Sequence, residues 1–196
     1  MGAGSVRVAT AEAVQPNTEL ETALWHRGMR RVVGLDEVGR GCLAGPVVAA
    51  ACVLPPGFVP PLPVRDSKQL SRAQRELLAR VILEHAAAVA VGAASHREVD
   101  RLNVRRATVL AMQRALRRLG DWDHALYDGR PMPELPPPRF TAVVNGDERC
   151  LSIACAAIVA KVTRDRLMAR LACRFPTYGW DRNAGYGTFE HLVALE

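Results

Sequence analysis

Short apolar runs alternate along this chain with longer stretches whose apolar positions recur at helical spacing, and turn residues separate the two. Residues 1–16 carry no period and read as a disordered leader, and residues 18–29 predict a short helix. Apolar runs over 31–36 and 46–54 predict two strands. Only a glycine-rich turn parts them, which implies an antiparallel hairpin. Five prolines within 55–63 make a stiff, exposed loop. Ser71-Arg72-Ala73-Gln74 is a capping-box pattern, and Leu77, Leu78, Val81 and Ile82 follow at helical spacing, so a helix is expected to about His85.

The second half repeats the alternation. Residues 88–94 predict a strand, and Asn103 caps a helix that Gly120 stops, with Val104, Ala107, Leu110, Ala111, Ala115 and Leu116 near one face. Strands are expected over 124–128 and 140–144, ending in Asp128-Gly129 and Asn145-Gly146-Asp147, with a proline-rich excursion between them. A buried helix is expected over 152–173, a loop with aromatics and glycines over 175–188, and a last helix from Thr188. No internal repeat is visible. Strands followed by helices after a leading hairpin give an α/β class, a mixed central sheet flanked by helices.

Composition narrows the class without changing it. A chain of 196 residues, 49% hydrophobic and 23% charged, suits a leader over 1–16 and one domain over 17–196. No apolar run reaches the roughly 18–20 residues that span a bilayer, and the first sixteen residues lack a signal-peptide core, so a cytoplasmic protein with no membrane partner is expected. The five cysteines are odd in number and form no C-x-x-C pair, which favours buried free thiols over disulfides or zinc. A formal charge of +6 permits a polyanionic partner. Lys68 and Lys161 are the only lysines among 26 basic residues. A compact ammonium reaches a phosphate or carboxylate where a planar guanidinium does not fit; on composition alone that reading and chance survival stand level.

The candidate chemistry lies where strands end. Asp36-Glu37, Asp128 and Asp147 each close an apolar strand, the place where α/β sheets collect catalytic groups. Consecutive acids on a strand point to opposite faces, so Asp36 and Glu37 serve one centre only where the strand ends and turns. Four carboxylates with no suitably spaced histidine form an oxygen-only set, which suits Mg²⁺ or Mn²⁺ rather than zinc. Two ions about 4 Å apart would account for it, one for the attacking water and one for the leaving oxygen of a phosphodiester. Taken singly, Asp128-Gly129 and Gly146-Asp147 are also ordinary turn pairs.

The run from Gly34 through Asp36-Glu37-Val38-Gly39-Arg40-Gly41-Cys42 to Val48 closely resembles the opening signature of type 2 ribonuclease H, the bacterial ribonuclease HII family. Asp66-Ser67-Lys68-Gln69-Leu70-Ser71, the Asn103–Leu116 helix, Asp128-Gly129, Gly146-Asp147, Ala160–Met168 and Gly185-Tyr186-Gly187-Thr188 follow in the family's order. The resemblance implies a ribonuclease H-like fold and an endonuclease that cuts the RNA strand of RNA–DNA hybrids. It also implies incision of DNA 5′ of an embedded ribonucleotide, leaving a 3′-hydroxyl and a 5′-phosphate. It assigns catalysis and metal binding to Asp36, Glu37, Asp128 and Asp147, with Mg²⁺ or Mn²⁺. Gly39, Arg40 and Gly41 match the segment that reads the 2′-hydroxyl and adjacent phosphates, and Tyr186 the tyrosine that stacks on the DNA-side sugar. Lys68 and Lys161 fall in family motifs and are assigned to phosphate contacts or support of the acids. Asp165 is a family position read as structural.

Four features depart from the family pattern. Asn145 stands for a usual lysine, Ala157 for a serine, Cys155 for an alanine and Asn183-Ala184 for His-Lys; each is expected to leave less polar or positive support near the acids. The chain also ends before the family's usual His-Arg-containing segment. Two other readings remain: a type 3 ribonuclease H, against which Arg40 between glycines argues, and a catalytically weak hybrid-binding protein. The expected partner is nucleic acid, the protein is read as a monomer, and a clamp-type replication partner is left open.

Overall fold

The computed structural model describes residues 15–64, 67 and 70–196. The expected leader, apart from residues 15 and 16, lies outside the described residues, as do Lys68 and its neighbours Asp66 and Gln69. In chain order the elements are α1 (Glu19–His26), β1 (Val32–Val38), β2 (Val47–Val53), α2 (Arg72–His85), β3 (Ala88–Ala94), α3 (His96–Leu102) and α4 (Val104–Leu119). They continue with β4 (His124–Asp128), β5 (Phe140–Val143), α5 (Gly146–Arg149), α6 (Leu151–Ala172), a 3₁₀ turn (Pro176–Tyr178), α7 (Trp180–Asn183) and α8 (Phe189–Val193).

Among the described residues five strands form one mixed sheet, ordered β3-β2-β1-β4-β5. β1 and β2 make the expected antiparallel hairpin, and β3 runs antiparallel to β2. β4 and β5 join β1 in parallel, so β1, β4 and β5 finish at the same edge. Alternation along the strands divides the core. Val33, Leu35, Val47, Ala49, Ala51, Ala125 and Tyr127 pack with α4 on one face, whereas Ala50, Cys52 and Leu54 pack with α2 and α6 on the other.

Several elements differ from expectation. β1 extends to Val38 because the ladder to β2 continues through Glu37↔Ala49 and Val38↔Val48. A hydrophobic pattern stops at the first acid, while backbone pairing does not. α3 was not expected, although Ser95 and Glu98 form a capping box that marks its start. The segment after β5 closes into α5, and the aromatic loop carries the 3₁₀ turn and α7. α1 ends at His26, short of Met29. The capping box at Ser71 and Gln74 and the Asn103 cap on Arg106 N–H form as expected.

α6 decides how the edge where β1, β4 and β5 finish is built. It crosses β1 so closely that a Cβ at Gly34 would lie 2.1 Å from the Ser152 carbonyl carbon. Small residues along α6, Ala154, Cys155, Ala156, Ala157 and Ala160, are all buried. At its N-terminus the buried Glu21 of α1 accepts the Ser152 N–H at 2.7 Å, satisfying a donor the helix cannot pair internally. Gly34→Val is expected to destabilise the fold by about 3 kcal/mol, the upper range for overpacking a tight core. Denaturant titration measures it, and an unchanged midpoint would contradict the packing.

Candidate active site

Parallel pairing of β1 with β4 brings the first acids together. Leu35 is the register partner of Tyr127, and both point to the α4 face. The next residue on each strand, Asp36 and Asp128, therefore turns toward α6. β5 lies beside β4 with Asp128 opposite Val143, and the chain then enters α5, whose first turn carries Asp147. The Gly146 N–H donates to Asp128 Oδ1 at 2.6 Å, which ties the β4 end to the start of α5. Glu37 stands on the opposite face of β1 from Asp36. It reaches the same cleft because β1 stops at Val38 and Gly39, with φ +105°, folds the chain over its end.

Asp36, Glu37, Asp128 and Asp147 line one cleft of about 250 Å³. Gly39, Arg40, Gly41, Lys161 and Tyr186 line it as well, together with Ser67 and Ala157. All the sequence-predicted site residues within the described part of the chain thus meet in one place. Arg40, half exposed, donates to Glu37 Oε1 at 3.0 Å. Lys161 Nζ sits 2.8 Å from Asp165 Oδ1 and 5.3 Å from the centre of the Tyr186 ring. Asp165, expected to pair with its neighbouring arginines, pairs with Lys161 and, at 3.9 Å, with Arg75 of α2.

Sequence reasoning passed over two residues. Ser67 lines the cleft, in a loop whose Ser67 and Leu70 carbonyls accept from Arg75 Nη1. Arg164 is fully buried beneath the glycine turn. Its signal was its spacing, four residues after Ala160 and four before Met168 on the buried face of α6. Two departures from the family pattern also acquire reasons. Asn145 adopts a left-handed conformation, φ +54°, which asparagine tolerates better than lysine. Asn183 is buried, donating to the Tyr178 carbonyl and accepting the Gly185 N–H at 2.7 and 2.8 Å, so it supports the Tyr186 turn.

The electrostatics are those of crowded acids. Burial, then the charges of Glu37 and Asp128, push the Asp36 carboxyl well above the ordinary carboxylate range. The Glu37 N–H, donating to Asp36 Oδ1 at 2.7 Å, pulls the other way, and Asp147 adds to the rise. Burial also raises Glu37, opposed by Arg40 and reinforced by Asp128. Glu37 Oε2 is buried with no hydrogen-bond partner. Among the described residues no three His, Cys, Asp or Glu side chains already stand as a coordination set. The donors nevertheless fit hard divalent cations: all are carboxylate oxygens, one is buried and unpartnered, and the cluster favours added positive charge.

These shifts set a pH dependence for the metal-free protein. A carboxyl whose folded value is raised binds more protons folded than unfolded, so its contribution is complete below the ordinary values of 3.8 for Asp36 and 4.5 for Glu37. That contribution is lost as pH rises through the raised values. Denaturant unfolding in chelator across a pH series is expected to show Asp36→Asn gaining stability relative to wild type as pH climbs above 3.8 and through the raised Asp36 value. A difference independent of pH would mean the acids are not crowded.

The family model of ribonuclease HII matches residues 33–196. The ribonuclease HII of Thermosynechococcus vestitus is 57% identical over 176 residues, covering 90% of this chain and 82% of that protein. That of Ruegeria pomeroyi is 51% identical, covering 93% and 77%. Among solved structures, the Archaeoglobus fulgidus ribonuclease HII bound to PCNA superposes with a TM-score of 0.68 at 26% identity, covering 84% of this chain and 86% of that one. The Pyrococcus horikoshii ribonuclease H2 gives 0.66 at 26% identity, covering 83% of each. A type 3 enzyme, Bst ribonuclease HIII, shares the fold at 0.63 and 20% identity. With the glycine-bracketed arginine and four acids at one strand edge, the chain belongs to the ribonuclease HII family.

Proposed function

We propose that this endoribonuclease of RNA–DNA hybrids hydrolyses its substrate at the four-acid cleft and also incises DNA 5′ of an embedded ribonucleotide, leaving a 3′-hydroxyl and a 5′-phosphate. One observation carries the reading: the parallel ends of β1, β4 and β5 deliver Asp36, Glu37, Asp128 and Asp147 into the cleft that Gly39–Gly41 and Tyr186 also line. Asp36, Glu37, Asp128 and Asp147 would hold two Mg²⁺ or Mn²⁺ ions. When bound, such ions supply the positive charge that favours the attacking water and the departing oxygen.

The chain's own groups orient the substrate. A Cβ at Gly41 would meet nothing within 4 Å, so the space above that backbone is open to a sugar-phosphate. Arg40 projects from this turn with its guanidinium half exposed, free to exchange Glu37 for a phosphate as the acids take up cations. The exposed ring of Tyr186 forms a platform on the other side, suited to a deoxyribose, which lacks the polar 2′-hydroxyl. Lys161 lies near both the ring and the acids and contributes a phosphate contact. We place the enzyme in the cytoplasm, acting as a monomer with residues 17–196 as its catalytic unit; among the described residues no helix is long and apolar enough to cross a membrane.

The decisive substrate is duplex DNA carrying one ribonucleotide. Purified protein with Mg²⁺ or Mn²⁺ is expected to nick it once, on the 5′ side of the ribonucleotide, and chelator to stop the reaction. No cleavage in either metal sinks the proposal. Asp36→Asn is expected to lower kcat by about a thousandfold or more with the circular dichroism spectrum intact, as loss of a central electrostatic group does. Arg40→Ala removes a charge-assisted phosphate contact and is expected to lower kcat/KM on this duplex about tenfold. An unaltered value would remove Arg40 from the substrate site.

A further inference from the structure

We infer that Arg164 is a positioning residue that locks the Gly39–Gly41 turn and the Tyr186 turn into one rigid reader of the ribonucleotide junction; this rests on the proposed reading of those two segments. Arg164 is 0% exposed. Its fork spans both segments. Nε donates to the Pro46 carbonyl at 2.9 Å and Nη2 to the Ala44 carbonyl at 2.9 Å, both on the connection from the glycine turn to β2. Nη1 donates to the Ala184 carbonyl at 2.7 Å, two residues before Tyr186.

The glycine turn is shaped around this side chain. A Cβ at Gly39 would lie 2.7 Å from Arg164 Nε, and one at Gly45 would lie 3.2 Å from Nη2. The two segments also touch directly, through Leu43 N–H to the Gly185 carbonyl at 2.8 Å and a bridge between Cys42 and Tyr186. On the far side of the Tyr186 turn, His191 Nδ1 lies 2.9 Å from the Tyr186 carbonyl, and Trp180 Nε1 donates to His191 Nε2 at 3.1 Å. Those contacts leave Nδ1 as the donor, so the Tyr186 backbone is gripped from both sides. Arg164 itself lies 5.9 Å from the centre of the Tyr186 ring.

Burying a guanidinium is costly, and apolar side chains fill space at less expense. What an arginine alone supplies is a planar fork of fixed geometry that can hold several carbonyls from different loops at once. Lysine keeps the charge but loses the fork. The spacing between the Gly39–Gly41 backbone, which faces the ribonucleotide, and the Tyr186 ring, which faces the next sugar, is therefore set by Arg164.

The test compares two substrates, duplex DNA with one ribonucleotide and a continuous RNA–DNA hybrid, using the full chain with Mg²⁺ or Mn²⁺. Arg164→Lys is expected to lower kcat/KM on the single-ribonucleotide duplex about tenfold more than on the hybrid, since misplacing a positioning element by about 1 Å costs one to two orders of magnitude. Arg164→Gln, which retains two donors, is expected to fall between wild type and Arg164→Lys. Equal losses on both substrates, no loss on either, or failure of both variants to fold would each overturn the inference and leave Arg164 a packing residue. Arg40→Ala and Tyr186→Ala, run alongside, separate the two levels. If they shift the substrate ratio and Arg164→Lys does not, only the Arg164 inference falls. If neither shifts it, the junction reading falls and takes the inference with it.

Discussion

Four carboxylates, those of Asp36 and Asp147 on buried residues, line one cleft, and in the absence of cations they disfavour one another. Burial and the charges of Glu37, Asp128 and Asp147 together push the Asp36 carboxyl well above the ordinary range. Such an arrangement survives only if the rest of the fold holds it in place, and much of the architecture serves that end. The sheet supplies the rigid edge, α6 backs it, and Arg40 and the Glu37 and Gly146 N–H groups partly offset the charge. Strain of this kind also makes the cleft receptive to divalent cations, since the energy that opposes folding is released on binding.

Sheet topology converts sequence distance into contact. β1 and β4 are separated by the whole of β2, β3 and α2–α4, yet parallel pairing places Asp128 in the row beside Asp36. β5 then carries the chain to the same edge, and the short α5 presents Asp147 from its first turn. α6 completes the unit, packing against β1 with no room for a side chain at Gly34 and contributing Ala157 and Lys161 to the cleft. A single helix thereby touches the acids, the glycine turn and the Tyr186 turn.

The departures from family pattern show how local conformation constrains choice of residue. Asn145 suits its left-handed backbone, and Asn183 spends both ends of its amide on the turn that carries Tyr186. Neither role could be assigned from chemical type alone, because each depends on a backbone angle or on a carbonyl contributed by another loop. The two asparagines help maintain the shape of the site.

Hydrophobic period and turn chemistry, which depend on near neighbours, were legible in the sequence: the hairpin, the strands that end in acid, the capped helices and the mixed sheet. The candidate site residues were legible too, because the acids and the Gly39-Arg40-Gly41 turn sit in motifs of fixed order. The ends of elements were less so. β1 outlasts its apolar pattern since ladder hydrogen bonds ignore side-chain polarity, and α3 is short enough for one capping box to be its main signal. Only the tertiary structure decided that Asp36 and Glu37 line one cleft from opposite faces of a strand, and that Arg164 stands beneath both the Gly39–Gly41 turn and the Tyr186 turn. These facts concern pairs of groups far apart along the chain, and their relation is set by strand register and helix packing, which no local pattern encodes.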